Sequence, residues 1–232
     1  MSRTHAELKA RQRAERHTHA EGLAFRVHRA LSWLERAEME VGPAGTLGNG
    51  DPDAQFIFLW IAFNAAYATE ITDAQRDGEQ SAFNAFLGVL LDLDGRNRLS
   101  DLVWTQFPGP IRGLLDNKFL YRDFWNAHNG RRPPEAWEPR FEAAKTRARK
   151  ALGDGDTLIV LGITLDRIYT LRNQLVHGGS TWDSDVNREQ VRDCARFMAA
   201  LVPVIIEIMM DNPQTVWSGA VYPPRVDPWV RT

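Results

Sequence analysis

The chain has 232 residues, 44% hydrophobic and 25% charged, with a formal net charge of −2 at pH 7. This composition excludes collagen-like, disordered and disulfide-stapled classes and suits one domain able to bury a sizeable core. The lone cysteine, Cys194, cannot close an internal disulfide, and the longest apolar stretch, 198–210, is interrupted by Pro203 and Glu207 and falls short of the roughly twenty residues of a membrane span.

The N-terminus is charged from its third residue and lacks the apolar core of a signal peptide, so the expected compartment is the cytoplasm. Residues 1–29 carry seven Lys or Arg against three Glu. A basic helix of this kind can follow a phosphate backbone or be a plain solvated face. From Leu23, the apolar positions Val27, Ala30, Leu31, Leu34 and Ala37 recur at helical spacing and predict a half-buried helix over 23–40. A Gly/Pro-rich connector, 41–50, follows. Asp51-Pro52 marks a helix start: the carboxylate can cap free amides, and proline loses nothing at the first helical position. The stretch 56–67 is apolar nearly all round and predicts a central buried helix. Residues 81–93 predict another, stopped by Asp94-Gly95, and 97–127 read as shorter helices broken at Pro108 and Pro110. After an exposed loop over 129–134, an amphipathic basic helix spans 139–152 and ends at Gly153. Asp156 then caps a long helix over 157–177 that Gly178-Gly179 terminates. Asn187 opens a last helix to about Met210, and the remainder predicts an extended tail packed on the surface. No alternating strand run and no repeat is present, so the fold class is all-α, a helical bundle.

Chemistry-bearing motifs are few. There is no paired-cysteine zinc pattern, no His-Glu-x-x-His, no phosphate loop, no dinucleotide fingerprint and no Gly-x-Ser-x-Gly elbow. Asp92-Leu93-Asp94-Gly95 faintly resembles a calcium loop, but Val103 stands where the closing Glu belongs, so it reads as a helix stop. No metal and no cofactor is expected. One constellation stands out: Leu171-Arg172-Asn173-Gln174-Leu175-Val176-His177-Gly178-Gly179, at the end of the long helix. Arg11–His17, Arg13–His19 and Arg122–His128 have similar spacing. Only Arg172–His177 follows an apolar helix, has Asn directly after the Arg and has a double-glycine stop behind it.

This string resembles the signature of the HEPN superfamily: an arginine, a polar residue that is often asparagine, then a histidine. The helix from Phe56 to Tyr67 is similar to the first core helix of the Apea-like HEPN group, and the order of elements fits over roughly residues 51–212. The resemblance implies an HEPN-like helical bundle there, with 1–50 as a basic N-terminal helical extension and 213–232 as a Pro/Trp-containing tail outside it. It further implies metal-independent RNA cleavage leaving a cyclic phosphate, and homodimers whose two motifs line a shared cleft. HEPN proteins often serve as toxins or in phage defence, some neutralised by an antitoxin protein, whereas others only bind nucleotides, RNA or protein partners.

Cleaving RNA without metal needs a base for the ribose 2′-hydroxyl, an acid for the leaving oxygen and a cation for the phosphorane charge. His177 suits either proton transfer, and Arg172 can grip phosphate in a planar fork. Asn173 lies four residues before His177 on the same helical face, where it orients the histidine or bonds substrate. Arg172 is about 140° from His177 if the helix continues. Either the helix loosens before Gly178, or the site is composite, with Arg and His from two chains. The plainer alternative is structural: a histidine in the last turn suits the helix dipole, and Arg172 pairs with Asp166, Asp183 or Asp185. Trp182 is a candidate stacking platform for an unpaired base, and Arg140, Lys145, Arg147 and Arg149 are candidate RNA contacts. Asn64, in an otherwise apolar helix, needs a partner if buried, and Tyr169 is either core packing or a stacking ring. The sequence thus points to a metal-independent endoribonuclease acting on single-stranded or looped RNA, with a non-catalytic HEPN-like binding module as the alternative. No membrane partner is expected.

Overall fold

The computed structural model describes residues 3–41, 50–67, 79–215 and 217, with the backbone alone for 79–83. Among the described residues there are ten α-helices and no strand, so the chain is all-α as its patterning predicts. Helix α1 (His5–Glu15) opens on a capping box: the Glu7 side chain accepts from the Thr4 amide at 2.8 Å while Thr4 Oγ1 accepts from the Glu7 amide. Helix α2 (Glu21–Glu38) buries Leu23, Val27, Ala30, Leu31, Leu34 and Ala37, the stripe its spacing predicts. Helix α3 (Pro52–Tyr67) starts at the expected proline, with Asp51 Oδ1 accepting from the Ala54 amide at 3.0 Å. It can be apolar nearly all round because α2 and α10 (Arg188–Asp211) flank it and α9 (Thr157–Val176) touches it from a third side.

Around α9 pack α4 (Glu79–Leu93), α6 (Pro108–Asp116) and α8 (Trp137–Asp154), while α7 (Arg122–His128) lies on α8. The short α5 (Arg98–Asp101) runs into a π turn, Leu102–Gln106, closed by the Phe107 amide on the Leu102 carbonyl at 3.0 Å. Both groups share one apolar core, in which Phe56, Trp60, Phe63 and Phe197 are the bulkiest apolar members. Pro203 sits inside α10 without ending it. The lost backbone bond is tolerated because apolar packing along the helix outweighs it.

Two boundaries differ from the sequence pattern. The helical run does break before Pro108, where α6 starts, but Pro110 falls in the first turn of α6 without breaking it, since first-turn amides have no intrahelical acceptor to lose. Helix α8 runs through Gly153 and stops at Gly155, which takes the left-handed φ of +71° and donates back to the Ala151 carbonyl.

Part of the N-terminal basic run is turned inward. Arg3 pairs with Glu207 at 2.8 Å and Arg11 with Asp211 at 2.7 Å, which docks α1 on the end of α10. Arg98 joins the same cluster, 2.8 Å from Asp211 and 3.0 Å from Asp94. Asp94 also caps α5, accepting from the Leu99 amide at 2.8 Å, which makes the Asp94-Gly95 stop a hinge between two helices. Buried Arg26 donates to the Ala66 carbonyl at the end of α3 at 2.7 Å. No helix among the described residues is long and apolar enough to cross a membrane. The connector expected over 41–50 and the tail expected over 213–232 lie largely outside the described residues. Within the latter stretch, Trp217 Nε1 donates to the Asn212 carbonyl at 3.2 Å and its ring lies 6.3 Å from that of Phe86.

Candidate functional site

The motif closes α9 with a full Schellman turn. Gly178 takes φ +71°, its amide donates to the Leu175 carbonyl at 3.2 Å, and the Gly179 amide donates to the Gln174 carbonyl at 2.7 Å. The two glycines are needed for different reasons. Gly178 occupies the left-handed region, and a Cβ on Gly179 would sit 3.2 Å from the Gln174 carbonyl oxygen. His177 is therefore held at the C-cap with near-helical backbone (φ −91°, ψ 11°), its amide still bonded to the Asn173 carbonyl at 3.0 Å. Its side chain is exposed. The helix does not loosen before Gly178, so Arg172 and His177 of one chain stay on different faces.

Arg172 lies half-buried against α3. Its Nη1 donates to Asn173 Oδ1 at 2.8 Å, and its guanidinium carbon lies 6.0 Å from the Trp60 ring centre and 5.8 Å from that of Tyr169. The carboxylates considered as structural partners are otherwise arranged: Asp183 pairs with Arg188 at 3.1 Å, and Asp166 lies 4.0 Å from Arg167. Among the described residues no carboxylate pairs with Arg172. Its Nε is buried and, among the described residues, has no partner; the same holds for Trp60 Nε1 and Asn64 Oδ1 in α3. Asn173 turns out to grip Arg172 rather than His177. Tyr169 packs against Trp60, ring centres 5.8 Å apart.

The loop after the motif is tied down from α3. Trp182 Nε1 donates to Asp51 Oδ2 at 2.9 Å while 74% of the residue stays exposed, so an anchored ring faces solvent beside the motif. Buried Arg188, at the start of α10, bridges Asp53 at 2.6 Å and Asp183 at 3.1 Å. Asp51 was read only as the cap of α3, and the bridge between Asp53 and Arg188 escaped sequence reading, because an ion pair between residues 53 and 188 leaves no local trace. The only signal was the Asp51-x-Asp53 pair at a helix start, which reads as capping alone.

The basic residues of α8 form a different region. Arg140 pairs with Asp123 at 3.3 Å, Lys145 with Glu142 at 2.8 Å and Arg149 with Asp116 at 3.5 Å. Arg147 lines a cavity of about 820 Å³ together with Tyr121, Asp166 and Arg167. Burial pushes the Asp166 carboxyl up and the Arg167 guanidinium down from their ordinary values. Asp166 lies eleven residues before His177, about 16 Å along the helix axis, so this cavity and the motif are separate places. Burial also pushes the Cys194 thiol up, which removes it as a nucleophile. Among the described residues no group of His, Cys, Asp and Glu could hold a metal ion. No family model matches the sequence, and neither a curated protein nor a solved structure matches it.

Proposed function

We propose that the protein is a metal-independent endoribonuclease of the HEPN type, acting on single-stranded or looped RNA as a homodimer with composite sites. Its biological setting in this reading is a toxin or phage-defence effector, with an antitoxin protein as a possible neutralising partner. The observation that carries the reading is Arg172: a half-buried guanidinium with no carboxylate partner among the described residues, bonded by Asn173, on a helix whose cap presents an exposed histidine. A cation kept free of acids is what an incoming phosphate requires.

In the mechanism, His177 takes or returns the proton in 2′-hydroxyl attack, Arg172 stabilises the phosphorane charge, and Asn173 positions Arg172. Trp182 stacks an unpaired base. The partner chain supplies the missing member of each Arg–His pair, because one chain holds the two on different helical faces.

The test is RNA cleavage by purified protein in excess EDTA beside His177→Ala, both shown folded and of equal oligomeric state. Wild-type cleavage with cyclic-phosphate ends, reduced about 10²-fold or more in the variant, is the expected result. Equal cleavage by both would assign the activity elsewhere. No cleavage by either, with salt-sensitive RNA binding retained, would make the protein a binding module.

A further inference from the structure

The cavity of about 820 Å³ between α8 and α9 falls within the range of small-molecule sites, roughly 300–1,000 Å³. Its walls include the apolar side chains of Leu158 and Ile163, the Tyr121 ring and three charged residues, Arg147, Asp166 and Arg167. Ile163, Asp166 and Arg167 stand at i, i+3 and i+4 on α9, so they share one face of that helix.

Arg167 is 1% exposed, yet among the described residues none of its N–H groups makes a hydrogen bond. The Asp166 carboxylate stays 4.0 Å from Nη1, too far for one. The Tyr121 and Phe141 ring centres lie 4.6 and 5.7 Å from the guanidinium carbon. An aromatic ring attracts the charge but accepts none of the in-plane N–H bonds. Arginine cannot shed its proton to escape burial, so an unmet guanidinium in the interior is costly until a partner arrives. Its open side faces the cavity. Tyr121 and Asp166, which bracket the guanidinium, are both cavity walls. Nε is fully covered whereas Nη1 and Nη2 are not, so the little surface that Arg167 keeps lies at the tip of its fork.

Arg147 reaches the same cavity from α8, is exposed, and forms no ion pair among the described residues. Two guanidiniums against one carboxylate leave the lining with a single net positive charge, which suits a monoanion better than a phosphate dianion. A planar fork matches a carboxylate, and the part-exposed Leu158 beside Ile163 offers apolar surface to cover. We infer that this cavity binds a small organic carboxylate with an apolar body, its carboxylate held end-on by Arg167 Nη1 and Nη2 with Arg147 at the rim. The apolar body lies on Leu158 and Ile163. This site is independent of the ribonuclease reading, being about 16 Å along α9 from His177.

The experiment is an NMR titration of the full chain with hexanoate, hexanamide, acetate and hexyl phosphate. Hexanoate is expected to bind saturably, and about ten-fold or more tightly than hexanamide, which lacks the charge, and than acetate, which lacks the apolar body. Hexyl phosphate is expected to bind more weakly than hexanoate, because its second charge meets Asp166. Arg167→Met is expected to weaken hexanoate about ten-fold or more while Tm holds or rises, since it removes a buried charge that makes no hydrogen bond in the protein. Arg147→Gln, at an exposed position, is expected to weaken hexanoate several-fold at unchanged Tm. No saturable hexanoate binding, equal binding of hexanamide or acetate, tighter binding of hexyl phosphate, or unchanged hexanoate affinity in Arg167→Met would overturn the site. If Arg167→Met unfolds or loses Tm, Arg147→Gln decides in its place, and unchanged hexanoate affinity there overturns the site.

Discussion

Arg172 is defined by what it lacks, and Asn173 is the residue through which that can be tested. The Asn173 amide oxygen holds Nη1 at 2.8 Å, which fixes the cation in direction and, among the described residues, leaves its charge uncompensated. Replacing Asn173 with Asp keeps an oxygen at the same place and adds the missing negative charge. Asn173→Asp is expected to leave stability within about 1 kcal/mol of the wild type or slightly higher, as half-buried ion pairs do. Its RNA cleavage should fall further than that of Asn173→Ala, because the guanidinium is now neutralised from within the chain. The comparison is read as kcat/KM beside urea unfolding; equal losses in the two variants would show that Asn173 acts on something other than the charge of Arg172. Arg172→Lys keeps the charge and loses the fork. It is expected to retain the fold while cleavage drops about 10²-fold, the scale of one lost transition-state donor. A fully active Arg172→Lys would demote the residue to long-range electrostatics.

At the scale of elements, the cap of α9 sets where His177 can be. Gly178 at φ +71° cannot take a Cβ without strain, and Gly178→Ala is expected to lower stability by about 1–2 kcal/mol in urea unfolding. Gly178→Asn should recover part of that loss, because asparagine tolerates the left-handed region. An alanine variant of unchanged stability would show that the turn re-forms another way and that the histidine is not fixed by it. This cap was legible in sequence, as were the amphipathic stripe of α2, the Asp51-Pro52 start of α3 and the Asp156 start of α9. Each rests on contacts within a few residues. Where two local solutions compete, the sequence does not choose: Gly153 and Gly155 flank Asp154, and only tertiary packing decides that the helix runs on to the second. Long-range partners were not legible at all. The Arg188 bridge to Asp53 and Asp183 has no periodicity to betray it. The site was readable as a string of residues on one helix, but its scaffold comes from α3 and α10.

For the whole molecule, the Asp211 cluster ties α1 and α5 to the end of α10, and its charge state sets a pH dependence. Burial alone would raise the Asp211 carboxyl, but hydrogen bonds from Arg11 and Arg98 outweigh it and hold it below its ordinary value. A carboxyl so depressed adds stability above the unfolded pKa of about 3.9 and loses it as pH falls through the folded value. Asp211→Asn is therefore expected to cost about 1–2 kcal/mol at neutral pH, with the gap to wild type narrowing below about pH 4. A gap constant across that range, measured by urea unfolding, would show that the ionised carboxylate is not what holds α1 down. The composite site makes a further demand on the assembly. If each cleft takes Arg172 from one chain and His177 from its partner, an Arg172→Ala chain still carries a usable histidine and a His177→Ala chain a usable arginine. Paired together they make one intact cleft and one doubly defective cleft. Refolded from an equal mixture, half the dimers are mixed and each has one of two sites, so about a quarter of wild-type cleavage should return from two inactive proteins. A site built within one chain allows no such recovery: every cleft in every dimer would lack either its arginine or its histidine. Activity of the mixture at the level of the separate variants would therefore refute the shared cleft while leaving both residues essential.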